Sequence, residues 1–310
     1  MPSPRVSSPR ASSPRVSSPT APEDIGPLEH GQRGRRALAV YYGQGALPTL
    51  ARYRRVVVQP GHFPPEKVAW LQGRGVQVLA YLSLGEVPAP DDQAHPVSWA
   101  VGEHRPEWGT YLVDVARPDW RDHIQTQVLH HKSVFDGFFL DTLDGAGRDP
   151  RQFRAMLKLM RLVRRWSGPG YLLANRGLGL LERLRGTING VLIEACSTTW
   201  APEYRAYSRQ ELDYTERLVR QARRLKLELY ALDYADSPRL RRFALRRAAA
   251  LGLPTFVTSR DLSLPGGYVA PNLKPPDPAV SALRSRPPGQ VQVEGNGELG
   301  SGPLSTLGSR

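Results

Sequence analysis

Near the middle of the chain the sequence reads Phe135-Asp-Gly-Phe-Phe-Leu-Asp-Thr-Leu-Asp144. Within it, Gly-Phe-Phe-Leu is a short apolar run that is followed by carboxylates at Asp141 and Asp144. An apolar run of this length, without alternating polar residues, is typical of a strand buried on both faces of a parallel sheet. The stretch therefore predicts a buried strand over 137–141 that ends in acidic residues.

Similar runs occur on both sides of this stretch. Seven more candidate strands are predicted at 38–42, 56–59, 76–83, 171–175, 191–194, 229–233 and 255–258. Amphipathic stretches separate several of them, with apolar residues at helical spacing over 151–166 and 209–226 and after Ser237-Pro238. Short buried strands that alternate with longer amphipathic helices indicate parallel βα units.

Eight such strands predict the α/β class and a (β/α)8 TIM barrel. A ninth short run, 111–115, is assigned to the long connection between the third and fourth barrel strands, because the next helix begins only at Pro118. The alternative is an open, doubly wound sheet with a different strand count. Both architectures place a functional site at the carboxyl ends of the strands.

The two ends of the 310-residue chain differ in composition from the middle. Residues 1–36 repeat Ser-Ser-Pro with interspersed Arg, and residues 273–310 are rich in Pro, Gly and Ser. Neither segment has a hydrophobic period, so both are predicted to be disordered tails. The single domain between them, 37–272, is close to the ~250 residues typical of a TIM barrel.

The charge is strongly basic: 42 Lys+Arg against 29 Asp+Glu give a net charge of +13, and only five of the basic residues are Lys. No nucleic-acid-binding motif accompanies this charge, and it falls on the polar faces of predicted helices, so a solvated surface is expected rather than a nucleic-acid site. The sequence shows no membrane span and no secretory signal, which as written favours a cytoplasmic location.

Polar side chains end five of the predicted strands. These residues are Tyr81, Ser83 and Glu86 at the third strand, Asp141 and Asp144 at the fourth, Asn175 at the fifth, Glu194 at the sixth, and Asp233 and Tyr234 at the seventh. Because the carboxyl ends of barrel strands share one rim, Asp141, Glu194 and Asp233 are expected to converge on one pocket. Two carboxylates in a barrel mouth suit glycoside hydrolysis, which needs no metal or other cofactor.

Two other reactive residue types receive structural interpretations. The single cysteine, Cys196, is expected to be a partly buried structural residue, because no His follows His131 to serve as its base. The pair His130-His131 lacks the spacing of a His-Glu-x-x-His metal site and is expected to end a helix.

Several segments together resemble glycoside hydrolase family 114. They are Val78-Leu-Ala-Tyr-Leu-Ser-Leu-Gly-Glu86, Trp120-Arg-Asp-His-Ile124, Phe135-Asp-Gly-Phe-Phe-Leu-Asp-Thr-Leu-Asp144 and Asn189-Gly-Val-Leu-Ile-Glu194. The resemblance covers about residues 37 to 272. It implies a TIM barrel and an endo-α-1,4-polygalactosaminidase-like activity on an amino-sugar polysaccharide or oligosaccharide. Members of the family that degrade matrix polysaccharide are usually exported.

The resemblance also implies roles for the strand-end residues. Asp141 would be the nucleophile and Glu194 the acid/base of a retaining mechanism, with the carboxyl groups about 5–5.5 Å apart. The remaining residues would contact the sugar, and they are Tyr81, Ser83, Glu86, Asp144, Asn175, Asp233 and Tyr234. Hydroxyl and amide groups hold sugar hydroxyls, and a carboxylate pairs with a free amine.

Two functions from other classes remain open at this point. In a non-catalytic carbohydrate-binding barrel, Asp141 and Glu194 would be present but not brought together. In an Arg-rich polyanion-binding or nucleic-acid-binding protein, the barrel would be a scaffold and binding would weaken steeply with salt. The sequence leaves the oligomeric state undetermined.

Overall fold

The computed structural model describes residues 34–88, 100–106, 108–145 and 149–268. The segments expected to be disordered, 1–36 and 273–310, lie outside this part of the chain except for residues 34–36. Arg36 is already the first residue of a strand. No helix in the described ranges is both long and apolar enough to cross a membrane.

The described strands alternate with helices along the chain. In order, the strands are β1 (Arg36–Tyr41), β2 (Tyr53–Val58), β3 (Gln77–Ser83), β4 (Glu86–Pro88), β5 (Ala100–Arg105), β6 (Thr110–Val113), β7 (Gly137–Asp141), β8 (Tyr171–Asn175), β9 (Gly190–Glu194), β10 (Thr198–Thr199), β11 (Arg205–Ala206), β12 (Glu228–Tyr234) and β13 (Thr255–Thr258). The α-helices are α1 (Leu47–Leu50), α2 (Pro65–Gln72), α3 (Pro118–His131), α4 (Pro150–Ser167), α5 (Leu178–Leu181), α6 (Arg209–Arg224) and α7 (Pro238–Ala250), and a 3-10 turn spans Pro60–His62.

Eight strands form one parallel sheet in the order β1-β2-β3-β7-β8-β9-β12-β13. The order follows the chain without the reversal that a doubly wound sheet requires, and β1 lies beside β13. The backbone N–H of Tyr42 donates to the carbonyl of Leu262 at 2.9 Å, which ties the two edges together. The chain is therefore an α/β protein with a nearly closed eight-stranded TIM barrel, and the doubly wound alternative is excluded.

The eight predicted barrel strands are all present. The three strands at 137–141, 171–175 and 255–258 have the predicted bounds, and the other five differ by a few residues at their ends. Their side chains are almost completely buried because helices cover the outer face of the barrel while layers of side chains fill its interior.

The helices follow the predicted amphipathic pattern. Helix α4 buries Met156, Leu157, Leu159, Met160 and Val163 against the core and leaves its basic residues on the outer face. Helices α6 and α7 are capped at their N-termini by Ser208 and Ser237, whose hydroxyls accept backbone N–H groups of the first turn. Part of the chain's basic charge therefore lies on the outside of the barrel.

The connection between β3 and β7 contains additional structure. Strands β4, β6 and β5 form a small antiparallel sheet in that order. The run at 111–115 was expected to belong to this connection, and its first residues lie in β6. Since β4 begins three residues after β3 ends, the small sheet lies at the carboxyl-terminal side of the barrel.

Candidate active site

Asp141, Asn175 and Glu194 are the last residues of three neighbouring strands, β7, β8 and β9. Asn175 pairs in register with Leu192 of β9, two residues before Glu194. Residues two apart on a strand project from the same face, so Asn175 and Glu194 point in the same direction. The register of the parallel sheet thus brings residues that are far apart in the sequence to one side of the barrel mouth.

One amide joins the two acidic side chains. Nδ2 of Asn175 donates to Oδ1 of Asp141 at 2.8 Å and to Oε2 of Glu194 at 2.5 Å. These two oxygens therefore cannot lie farther apart than the sum of those two distances. Asn175 is only 7% exposed, and its Oδ1 is buried without a hydrogen-bond partner among the described residues. This oxygen is thus an unused hydrogen-bond acceptor next to the two carboxyl groups.

Tyrosine side chains surround the carboxyl groups. The hydroxyl of Tyr234 donates to Oε1 of Glu194, and Tyr81 hydrogen-bonds Asp141. Tyr42, which follows β1, packs edge-on against Tyr81 with ring centroids 5.3 Å apart, and its phenol interacts electrostatically with both carboxyl groups. Tyr42 was not among the residues expected from the sequence. It nevertheless ends a predicted strand with a polar group, which is the signal that identified the others.

Burial controls the protonation of this cluster. Burial raises the pKa of Glu194 above its ordinary value, and the negative charge of Asp141 raises it further. Burial also raises the pKa of Asp141, although hydrogen bonds from Asn175 and from the backbone of Thr142 favour its ionised form. Two carboxyl groups in contact with one donor do not ionise independently. Loss of a proton from one of these carboxyl groups therefore makes loss of a proton from the other less favourable.

The backbone after each of the three residues is unusual. Thr142, Arg176 and Ala195 follow Asp141, Asn175 and Glu194, and their φ angles are 63°, 54° and 49°. Residues with side chains seldom adopt this left-handed region, and a β-branched threonine is a clear outlier there. Such strained conformations cluster at functional sites, where they direct the chain and its side chains.

Ser83 and Glu86 form the junction between the barrel and the small sheet. The hydroxyl of Ser83 donates to the carbonyl of Glu86 at 2.7 Å and lies 2.9 Å from the hydroxyl of Thr142. A side chain on Gly85 would clash with the carbonyl of Thr142, since its Cβ would lie 2.3 Å from that oxygen. Glu86 accepts from Thr110 at 2.7 Å. The segment 83–86 therefore holds the connection against β7.

Asp144 lies at the rim and is more exposed. Its Oδ1 accepts the backbone N–H of Gly177 at 3.0 Å, and its Oδ2 lies 3.3 Å from Nε of Arg176. The charge of Arg176 also lowers the pKa of Glu194, against the larger effect of burial. Asp144 thus contributes an acidic group near the carboxyl pair, balanced by one guanidinium.

The structure does not place the side chain of Asp233 in the pocket, where the sequence predicts it. Its side chain is fully buried, and Oδ1 accepts the backbone N–H groups of Ser197 at 2.6 Å and Thr198 at 2.9 Å. Successive residues of a strand point to opposite faces, so Asp233 cannot share the direction of Tyr234, which contacts Glu194. Asp233 therefore supports the loop after β9, and burial raises its pKa to about 6.

The residues considered for thiol and metal chemistry have structural surroundings. Cys196 is completely buried, and burial raises the pKa of its thiol to about 12. His130 and His131 form the last turn of α3, as expected. In the described ranges, no group of three or more His, Cys, Asp or Glu side chains is placed to hold a metal ion.

These features define a class of protein, the barrel glycoside hydrolases, which carry two carboxyl groups at the carboxyl-terminal rim of a parallel barrel. A family comparison then identifies the branch. The model of glycoside-hydrolase family GH114 matches residues 39–271, and the chain belongs to this family. It is therefore a glycosidase, and the family resemblance found in its sequence motifs is confirmed.

Comparison with solved structures agrees with this assignment. The glycoside hydrolase domain of PelA from Pseudomonas aeruginosa is 26% identical with a TM-score of 0.67, and the match covers 74% of this chain and 96% of that domain. Ega3 of Aspergillus fumigatus in complex with galactosamine is 13% identical with a TM-score of 0.57, covering 77% and 97%. The α-galactosidase of Thermus thermophilus shares the fold at 17% identity and a TM-score of 0.50, covering 74% and 59%. A search of curated protein sequences finds no match.

Proposed function

We propose that this glycosidase hydrolyses an amino-sugar polysaccharide with polygalactosamine-like α-1,4 linkages, and that Asp141 and Glu194 are its catalytic residues. The observation that carries the proposal is the contact of both carboxyl groups with the single amide nitrogen of Asn175. In a non-catalytic barrel these carboxyl groups need not meet.

The proposed reaction has two steps. Glu194 protonates the glycosidic oxygen while a carboxylate oxygen of Asp141 attacks the anomeric carbon, so the bond to the leaving sugar breaks and a glycosyl ester forms. Glu194 then takes a proton from water, the water oxygen attacks the same carbon, and the ester bond to Asp141 breaks. The raised pKa of Glu194 suits the first proton transfer.

A retaining outcome is favoured by the spacing of the nearest oxygens. Their separation is limited by two hydrogen bonds of 2.8 Å and 2.5 Å that share one nitrogen. Retaining glycosidases hold the carboxyl groups about 5–5.5 Å apart, whereas inverting enzymes need about 6.5–9.5 Å to admit a water between them. Asp141 is accordingly assigned as the nucleophile.

The chemistry of the mouth supports an amine-bearing substrate. Asp144 adds a third carboxylate beside the catalytic pair, and the buried Oδ1 of Asn175 offers an acceptor for an ammonium or hydroxyl donor. Tyr42, Tyr81 and Tyr234 supply phenols that can hold sugar hydroxyls. The similarity to Ega3, which is seen with galactosamine, is consistent with this substrate class.

The test uses the purified full chain and polymers of galactosamine and glucosamine in acetylated and deacetylated forms. We expect new reducing ends from deacetylated polygalactosamine, and NMR should show the α-anomer first if the mechanism retains configuration. Asp141→Asn and Glu194→Gln should each abolish release, whereas Asp213→Asn, an exposed carboxylate on α6, should not. Undiminished activity in either catalytic variant would refute the pair, and a β-anomer would refute the retaining mechanism.

A further inference from the structure

Two tryptophans that the proposed chemistry does not use meet above the barrel mouth. Trp108 lies in the turn between β5 and β6, and Trp200 follows β10. Their ring centroids are 4.8 Å apart and the rings are nearly perpendicular, at 88°. We call Trp108 and Trp200 the tryptophan pair.

The position of the tryptophan pair follows from the sheet order. Trp108 belongs to the connection that leaves β3, and Trp200 belongs to the connection that leaves β9. Strands β7 and β8 lie between β3 and β9 in the sheet, and these two strands end in Asp141 and Asn175. Contact between the two connections therefore places the pair on the side of the mouth where the catalytic carboxyl groups are.

Trp200 is held firmly in place. The guanidinium of Arg260 lies over its ring, 4.1 Å from the centroid, and the backbone N–H of Arg260 donates to the hydroxyl of Tyr204 at 2.7 Å. The loop itself is fixed at its base, because Thr198 donates its backbone N–H to Asp233 and pairs with Ala206. Trp200 therefore serves as a rigid support.

Trp108 is presented to solvent on this support. Its side chain is 48% exposed, whereas most large apolar side chains in the described ranges are buried. Leu129 and Tyr214, which are similarly exposed, lie on the helices α3 and α6 rather than at the mouth. Of these three exposed residues, Trp108 is therefore the one within reach of a polymer that extends out of the mouth. Indole offers an apolar face to the C–H groups of a sugar ring and attracts an ammonium group through its π system.

We propose that Trp108 is a stacking residue for a hexosamine unit of the polymer beyond the one at the carboxyl pair, and that Trp200 positions it. The inference rests on the proposed function for the identity of the polymer. It predicts that Trp108 contributes to the binding of long oligomers and not to the binding of short ones.

The experiment compares the full chain with Trp108→Ala, Trp108→Phe and Tyr214→Ala, the last being an equally exposed aromatic on the outer face of α6. Binding of deacetylated galactosamine hexamer and dimer is measured by calorimetry in the Glu194→Gln background, where the oligomers should stay intact. Kinetics on the polymer are measured with Glu194 present. We expect Trp108→Ala to raise the hexamer Kd roughly three- to tenfold and leave the dimer Kd unchanged. Trp108→Phe should recover most of the affinity, and Tyr214→Ala should have no effect.

The outcomes separate this inference from the proposed function. Hydrolysis of the polymer by the wild-type chain, together with equal hexamer affinity in the Glu194→Gln background with and without Trp108→Ala, would overturn the subsite and leave the function intact. Hexamer binding that depends on Trp108, without hydrolysis by the wild-type chain, would overturn the function and retain the subsite. Loss of affinity for dimer and hexamer alike, or no binding of either oligomer, would overturn the subsite.

Discussion

The amide nitrogen of Asn175 lies 2.5 Å from Oε2 of Glu194, across the ends of two neighbouring strands. The same nitrogen also donates to Asp141. One neutral side chain therefore sets the distance between two acidic groups and favours the ionised form of both. Its neighbours on the strand are apolar, so the amide is fixed by the sheet rather than by a flexible loop.

Asn175→Ala should lower kcat/KM about 100-fold and move the pH profile upward. Without the donor, the carboxyl groups lose their common positioning, and small misplacements in an active site cost about this much. The pKa of both groups should rise, so the acidic limit of activity, set by ionisation of Asp141, should shift to higher pH. The alkaline limit, set by deprotonation of Glu194, should shift the same way. A reduced rate with an unchanged pH profile would contradict this role.

Glu194→Gln should make the protein more stable at neutral pH while abolishing activity. Because burial and Asp141 raise the pKa of Glu194, the folded state prefers the protonated form. That preference stabilises the fold at low pH and is lost as pH rises through the folded-state pKa. The variant should therefore unfold a few degrees higher than the wild type at pH 7, with the difference vanishing near pH 4. An equal difference at both pH values would show that ionisation is not the cause.

Much of the barrel could be predicted because its strands are locally encoded. A strand buried on both faces must be apolar throughout, and the run 137–141 shows this without reference to the rest of the chain. The rim location of Asp141, Asn175 and Glu194 followed from the single topological rule that parallel barrel strands end at one rim. The family resemblance supplied their proposed roles.

The rest of the site depended on side-chain direction and long-range contacts. Asp233 and Tyr234 both end β12, but only the pleat register shows that the tyrosine faces Glu194 while the aspartate lies under the loop. Trp108 and Trp200 contact each other although they are 92 residues apart in the sequence. Neither tryptophan belongs to a periodic hydrophobic pattern or to a motif, so the sequence around each one does not indicate that they meet.

Asp233→Ala should destabilise the loop that follows Glu194. Two buried backbone N–H groups, of Ser197 and Thr198, would lose their acceptor, at a cost of about 2–4 kcal/mol in the free energy of unfolding. Asp233→Asn keeps an acceptor oxygen and removes the charge. Burial raises the pKa of Asp233 to about 6, so wild-type stability from this group falls as pH rises through about 6.

The two Asp233 variants therefore differ in their pH dependence. As the pH rises from about 4 to about 8, the free energy of unfolding of Asp233→Asn should increase relative to that of the wild type. Asp233→Ala should be less stable than the wild type across the same range. Urea unfolding at several pH values measures both. If Asp233→Asn also lost binding of a short oligomer without losing stability, direct contact between Asp233 and substrate would be indicated instead.

A buried guanidinium, that of Arg55, lies at the opposite end of the barrel. Arg55 is 5% exposed, stacks 3.5 Å above the ring of Tyr171, and donates to Gln77 at 2.6 Å and to Glu228 at 2.9 Å. Gln77, Tyr171 and Glu228 are the first residues of their strands, so this cluster lies at the amino-terminal end, away from the carboxyl pair. Residues at that end of a TIM barrel serve stability rather than catalysis.

Arg55→Met should lower the free energy of unfolding by about 2–3 kcal/mol and leave kcat and KM unchanged, because it removes the buried guanidinium, its stacking on Tyr171 and its hydrogen bonds, far from the site. Burial raises the pKa of Glu228, but hydrogen bonds from Tyr230 and Arg55 outweigh it and lower the pKa to about 2. Stability from Glu228 is thus present above its unfolded-state pKa and is lost as pH falls toward 2. Arg55→Met should lose less stability on acidification than the wild type, and Arg55→Met combined with Glu228→Gln should cost less than the two single changes added together. A fall in kcat with unchanged unfolding would mean that this cluster acts on catalysis and not on the fold.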